Sequence, residues 1–348
     1  MTEIQVDQYD PRVVREGILQ KKEDDGVRCL TCSHRCLIHE NKMGVCRTRV
    51  NINGSVKTLV YGNVSSINNN PIEKKPFFHF APSTRALTVG SWGCNASCPF
   101  CQNFEISKQQ PIPELTRYMS PKQFVEIARK RGSEGTSISF SEAATLMLEW
   151  NLEVFKIARE QGLYNTIVTN GYMTSEALDF MIDAGLDAAN VDVKGCEPQV
   201  RKICGIALQP VLDNIIHMIE RGVHVELATL VVPGLSDDRE CLETLARWIL
   251  DNTDSKTPWH LNRYHPAFEY KEPSTSIELL KEAREMALKT GLEFVYIGNV
   301  GTKGFEDTVC PKCNKLCYER RWHSSRNAAT GVDGTCNNCG YDLAIRRR

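Results

Sequence analysis

No stretch of this chain approaches the roughly 18 consecutive apolar residues of a spanning helix, and the opening MTEIQVDQYD is acidic and polar with no apolar segment behind it. A membrane partner and a secretory leader are therefore not expected, and the chain reads as cytoplasmic. An excess of charge of either sign is lacking too. The 42 basic and 43 acidic side chains nearly cancel, which excludes the whole-molecule field that draws a protein to nucleic acid or to an anionic membrane. Any such affinity has to be local. Internal repeats and low-complexity tracts are also missing, so no repeat array is indicated.

What is present is ordinary in bulk and unusual in one residue type. At 348 residues, 41% apolar and 24% charged, the chain can bury a real core in one large domain and still carry small modules. Cysteine stands out, with 15 copies. They fall at 29, 32, 36 and 46, at 94, 98 and 101, and at 310, 313, 317, 336 and 339, with Cys196, Cys204 and Cys241 outside these groups. Disulfide-framed secreted proteins are normally short, whereas CxxC pairs in an intracellular chain are better read as metal or redox sites.

The clusters divide the chain. Residues 1–85 hold the first group and a β-hairpin, because CRTRVNINGSVKTLVYG alternates around Asn53-Gly54, the dipeptide of a type I′ turn. The turn-rich NNNPIEKKPFFHFAPST then reads as a linker. Residues 86–300 alternate short apolar runs with helix-length amphipathic stretches. ALTVG (86–90), TSISF (136–140), NTIVT (165–169), AANVDV (188–193), HVELATLVV (224–232), WHLNRY (259–264) and EFVYIG (293–298) are the candidate strands. Between them, MSPKQFVEIARKRG has Ser120 as cap and Pro121 at the first helical position. TSEALDFMIDAG is capped by Thr174 or Ser175 and closed by Gly185. This alternation implies an α/β fold with a parallel sheet, a partial or complete barrel with its chemistry at the C-terminal strand ends. Residues 301–348 form a third, cysteine-bearing module.

GSWGCNASCPFCQNFEIS places Cys94, Cys98 and Cys101 immediately after the first apolar run. A cubane iron-sulfur cluster that only carries electrons takes four thiolates, so three leave one iron free to bind something else. Zinc completed by a distant ligand is the alternative, but zinc knuckles usually pair one CxxC with another. CxxxCxxC at this place resembles the signature of the radical S-adenosylmethionine (SAM) superfamily. PIEKKPFFHF, VTNGY, NVDVKG, VLDNI, LVVPGLSDD and YIGNV extend the likeness over most of the chain. They are similar to the branch related to pyruvate formate-lyase-activating enzyme, specifically the AmmeMemoRadiSam-system radical SAM proteins. The resemblance implies a partial (β/α) barrel, a [4Fe-4S] cluster on the three cysteines and SAM on the open iron. One electron from the cluster then cleaves SAM to methionine and a 5′-deoxyadenosyl radical.

The resemblance also implies residue roles. Phe100 matches the aromatic that lies against adenine, and Glu142, after the second strand, the acceptor for the SAM ammonium. Ala143 stands where the usual pattern has Pro, a departure at the helix entry, and a plain helix-capping role for Glu142 stays open. Asp192 and Lys194, two apart at a strand tip, match a SAM-fixing pair, with Lys194 facing the SAM carboxylate. Asn170 and His260 match polar positions of the pocket, and a structural role for His260 is equally open.

In the third module CPKC (310–313) and CNNC (336–339) are separated by 22 residues, the spacing of a zinc ribbon closed by Cys310, Cys313, Cys336 and Cys339. Cys317 and His323 are then spare. Cys29, Cys32, Cys36 and Cys46 form a second candidate site, for zinc or an iron-sulfur cluster, with His34 and His39 nearby. Cys196 reads as a buried, inert thiol. The nine basic and five acidic side chains of residues 301–348 read as a solvated surface or a contact for an acidic partner or RNA. Three functions follow. The first is hydrogen abstraction from a glycyl or other residue of a protein partner, fed by a reductant such as ferredoxin or flavodoxin. The second is radical SAM modification of a small molecule or RNA, and the third a non-enzymatic zinc-binding adaptor. Replacing any one of Cys94, Cys98 and Cys101 by Ala is expected to reduce 5′-deoxyadenosine formation from SAM and dithionite to background. Wild-type turnover by the triple Ala variant would remove the radical reading.

Overall fold

A computed structural model describes residues 6–321 and 323–347. Its centre is an eight-stranded sheet in sequence order: β1 (Ser66–Pro71), β2 (Arg85–Gly90), β3 (Gly135–Ile138), β4 (Tyr164–Thr169), β5 (Ala188–Asp192), β6 (His224–Val231), β7 (Trp259–Arg263) and β8 (Val295–Gly298). Strands β2 to β8 are parallel. They coincide with the seven apolar runs, as expected where helices cover one face of a parallel sheet and the other face is enclosed. Among the described residues β1 and β8 do not pair, so the sheet stays open. Residues of six of the seven parallel strands, with Ser139 directly after β3, nevertheless line one cavity, and the sheet therefore curls into a partial barrel.

Helix ends follow local chemistry. Pro121–Lys130 starts at Ser120, whose hydroxyl accepts from the Gln123 N–H at 3.2 Å while the Gln123 side chain accepts from the Ser120 N–H at 3.0 Å. This is a capping box. Ser175–Ala184 is capped by Thr174 and ends at left-handed Gly185. The hairpin of Arg49–Ile52 and Ser55–Thr58 turns through Asn53 and Gly54, both with positive φ.

The linker reading fails in part. Ser66–Pro71 is an antiparallel edge strand on β2; its half-exposed asparagines carry no apolar alternation, and its pairing comes from the free edge of β2. Residues 72–84 then cross the N-terminal ends of the strands. Phe80 packs on Tyr164 and His224, and His79 on Phe294, each at the start of a strand. This segment is the floor of the barrel. The third module covers it from outside, as a three-stranded antiparallel sheet (Thr308–Val309, Leu316–Arg321, Ser324–Asn327). Phe78, Phe294 and Tyr296 join its apolar core. Arg320 donates to the Phe78 carbonyl at 2.7 Å, and the Arg346 N–H to the His79 carbonyl at 2.8 Å.

The first module is tied to the barrel by a buried ion pair. Both guanidinium ends of Arg49 meet the Glu149 carboxylate, at 2.8 and 2.9 Å, with 1% and 7% of the two side chains exposed. The Cys196 reading is also corrected: the structure joins it to Cys241 in a disulfide, because helix Arg239–Asn252 brings the second sulfur beside the end of β5. Among the described residues no helix is long and apolar enough to cross a membrane. Arg49→Met is expected to cost about 3–5 kcal/mol, because Glu149 keeps its buried charge without its partner, and adding Glu149→Leu to restore much of that. Urea unfolding midpoints check this; an unchanged midpoint for the single variant would refute it.

Candidate active site

The loop after β2 carries Cys94, Cys98 and Cys101 over the C-terminal ends of the strands. It is pressed from behind by the first module: a Cβ on Gly93, which has positive φ, would lie 2.5 Å from the Thr48 side chain and 2.6 Å from the Cys46 carbonyl. His34 bonds the Asn95 carbonyl at 2.7 Å, and Asn170 donates to the Asn95 side chain at 2.7 Å. Lys108 donates to the Ala96 carbonyl at 3.1 Å. The Cys94 sulfur accepts from the Ala96 N–H at 3.3 Å.

All three cysteines, with Phe100, Glu142, Asn170, Asp192, Lys194 and His260, line a single cavity of about 490 Å³. That size lies within the range of small-molecule sites. Phe100 is buried and packs edge-on against Tyr270. Glu142 is buried, and its carboxylate accepts from Thr145 at 2.8 Å, Thr169 at 2.5 Å and the Asn170 N–H at 2.9 Å. It precedes helix Ala143–Leu146 but caps nothing with its side chain, so the plain capping role is not the one it plays. Phe140 and Ser141 before it are both in the left-handed region, a conformation that costs non-glycine residues about 1–3 kcal/mol each. That backbone carries Glu142 to the cavity. Burial raises its pKa, opposed by the three donors.

Lys194 lies 3.3 Å from Asp192 at the tip of β5. Burial works against its charge, but Asp192 and then the cysteines outweigh burial and hold its pKa well above the usual range. Cys98 is drawn down to about 6, first by a hydrogen bond from Cys204, then, against burial, by Lys194 and Lys108. Cys94 is pushed up by burial and by Glu142. His260 sits toward the floor, stacked on Tyr296 and edge-on to Phe78, with Nε2 2.8 Å from Glu226.

Sequence reasoning missed Cys204, Lys108, Lys75, Asn190 and Glu226. Cys204 is a lone cysteine brought to Cys98 by a backbone bond from Ser97 to its carbonyl; Lys75 and Asn190 lie in PIEKKPFFHF and NVDVKG but carry no assigned role there, and no motif marks Lys108 or Glu226.

The tail cysteines form a different kind of site. Their sulfurs all lie within 4.8 Å of one another, with Cys310–Cys339 at 3.6 Å and Cys313–Cys336 at 3.7 Å. A tetrahedral ion with bonds of about 2.3 Å holds sulfurs about 3.8 Å apart, so one metal ion fits. Among the described residues this is the only group of three or more ligating side chains so compact. Cys317 is buried in the same module, while His323 lines the main cavity. Burial raises the pKa of Cys32, Cys36 and Cys46, and the neighbouring cysteines add to it, opposed by bonds from the N–H groups of His34, Val45 and Thr48. Such bonds favour thiolate. His34 and His39 are engaged by carbonyls instead.

The model of the radical SAM superfamily matches residues 90–249, from the three-cysteine loop to helix Arg239–Asn252. The chain belongs to the radical SAM superfamily. Radical SAM membership implies a [4Fe-4S] cluster and SAM, and three thiols at the rim of one cavity are a fitting donor set. The chain is 37% identical over 335 residues to an uncharacterised protein of Methanocaldococcus jannaschii, covering 95% of this chain and 99% of that one. It is 25% identical over 175 residues to the pyruvate formate-lyase-activating enzyme of Clostridium pasteurianum, covering 50% of this chain and 72% of that one. A solved domain of the corresponding Bacteroides vulgatus enzyme is similar with TM-score 0.42 and 17% identity, over 48% of this chain and 100% of that one.

Lys194→Met and Glu142→Gln are each expected to keep the visible absorption of a reconstituted cluster and to bind SAM about ten- to a hundredfold more weakly by calorimetry. Each removes one charge-assisted contact, of about 1.5–3 kcal/mol. Wild-type affinity in both variants would remove these two residues from the SAM site.

Proposed function

We propose that this chain is a radical SAM enzyme that abstracts hydrogen from a substrate held in the cavity. Cys94, Cys98 and Cys101 hold the cluster, which when bound supplies the electron that cleaves SAM to methionine and a 5′-deoxyadenosyl radical. Glu142 accepts from the SAM ammonium, Lys194, kept charged and positioned by Asp192, faces its carboxylate, Phe100 lies along its adenine, and Asn170 steadies the loop. A reductant such as ferredoxin or flavodoxin is the electron source. The observation that carries the reading is the convergence of three thiols, a buried carboxylate and a charged lysine, from separate elements, on one cavity.

A glycyl or other residue of a protein partner is the substrate that the likeness to pyruvate formate-lyase-activating enzymes supports. A small molecule is supported by the closed floor of the cavity. RNA has less support, because four of the tail's nine basic residues are engaged internally: Arg321 and Arg326 on Glu319, Arg320 on Phe78 and Thr308, Arg347 on Tyr318. The tail site takes zinc, its four thiols leaving no open position. Cys29, Cys32, Cys36 and Cys46 hold a second metal centre, zinc or an iron-sulfur cluster.

Anaerobically purified protein is expected to contain zinc and roughly four iron and four sulfide per chain, or roughly eight of each if the first module also holds a cubane. Zinc without iron would leave only the adaptor. Cys310→Ser is expected to lose zinc and expose residues 301–347 to protease. It should also weaken substrate turnover, since Glu306 and His323 of the tail line the cavity. Transfer of deuterium from labelled substrate into 5′-deoxyadenosine tests the reaction itself.

A further inference from the structure

The two ends of the cavity differ in how their polar groups are satisfied. At the cysteine end Glu142 has three donors and Lys194 has Asp192. At the floor, among the described residues, one carboxylate oxygen of Glu73, Oε2, is buried without a partner, and so are the Lys75 ammonium and Asn190 Oδ1. Lys75 and Asn190 both line the cavity, and only 4% of Lys75 and 0% of Asn190 are exposed. They are placed side by side, because the Asn190 amide donates to the carbonyl of Pro76, the residue after Lys75, at 2.9 Å. The Lys75 backbone is fixed by its N–H bond to Ile72 at 3.0 Å.

The surroundings make the ammonium worse off. Burial, then Lys74 and Arg85, pull Lys75 down to about 7, and Glu73 opposes them only weakly. Glu73 Oε1 accepts from Ser83 and Ser325, while its Oε2 has no hydrogen-bond partner and does not reach the Lys75 ammonium. An isolated buried charge is strongly disfavoured unless an opposite charge meets it. A methionine or leucine would fill the same space without that penalty, so packing alone does not account for a lysine. His260 adds a third polar group at this end: Glu226 holds its Nε2 at 2.8 Å, which leaves Nδ1 for a ligand.

We propose that the floor of the cavity is a recognition subsite for the carboxylate or phosphate of a small anionic substrate, with Lys75 as its counter-ion and Asn190 Oδ1 accepting from a hydroxyl or amine of the same molecule. The subsite rests on the reading of the cavity as a radical SAM site and names its substrate class. Segment 72–84 and the tail close the barrel beneath Lys75, so the group that reaches it is the end of a small molecule. Its remaining length would extend toward the cysteine loop.

The test uses full-length, reconstituted protein. Succinate and inorganic phosphate are titrated by calorimetry at constant ionic strength into wild type, Lys75→Met and Lys75→Arg. Wild type is expected to bind one of the two saturably, and which one binds separates carboxylate from phosphate. Lys75→Met should bind it at least about tenfold more weakly and Lys75→Arg within about threefold, with SAM affinity unchanged in both. Without anion, Lys75→Met should also raise Tm, since it deletes an uncompensated buried charge. Saturable binding of neither anion, equal binding by Lys75→Met, a lowered Tm, or a loss of SAM affinity in that variant would each overturn the subsite. Failure of the radical reading looks different: wild type would form no 5′-deoxyadenosine with dithionite while anion binding stayed intact.

Discussion

The carboxylate of Glu226, buried in the middle of the barrel, is the contact on which the enclosure depends. It accepts from the consecutive N–H groups of Phe78, His79 and Phe80, at 2.9, 2.7 and 3.2 Å, and from His224 and His260 at 3.2 and 2.8 Å. Burial alone would raise its pKa, yet the hydrogen bonds and charge of the His224 and His260 imidazoles hold it well below the usual carboxylate range. One ionised oxygen pair thus satisfies a stretch of loop backbone that would otherwise be buried without partners. The floor stays in place because of it, and His260 is oriented by the same group.

From that floor outward, an open sheet becomes a closed vessel. Among the described residues β8 pairs with β7 on one side only, and the tail module packs on Phe78, Phe294 and Tyr296. The first module plays the matching part at the other end, pressing Thr48 and Cys46 against Gly93 beneath the cysteine loop. The tail module therefore does more than decorate the chain. It completes the wall of the cavity and contributes Glu306 and His323 to the lining.

Much of this was legible. The seven parallel strands, the Ser120 and Thr174 caps and the Asn53-Gly54 turn follow from apolar runs and short-range chemistry, which act within a few residues of one another. The nine candidate cavity residues could be assembled because CxxxCxxC marks a known arrangement and because strand ends converge in a barrel. Less legible was anything whose cause lies across the fold. Ser66–Pro71 carries no apolar alternation and is a strand only because β2 offers a free edge. Cys196 reads as a solitary thiol until helix Arg239–Asn252 brings Cys241 beside it. Lys75 is one lysine in EKKPFF, and nothing in its neighbours announces that its ammonium will be buried without an acceptor.

The sequence by itself determined the superfamily, the order of strands and helices and the grouping of cysteines, since each depends on residue identity at short, regular spacing. Only the tertiary structure decided that Glu142 faces the cavity rather than capping its helix, that four tail sulfurs come within reach of one ion, and that Glu226 spends its charge on the floor. Those outcomes depend on desolvation and on partners 23 to 148 residues away, and burial is a property of the whole packed chain, which no local pattern encodes.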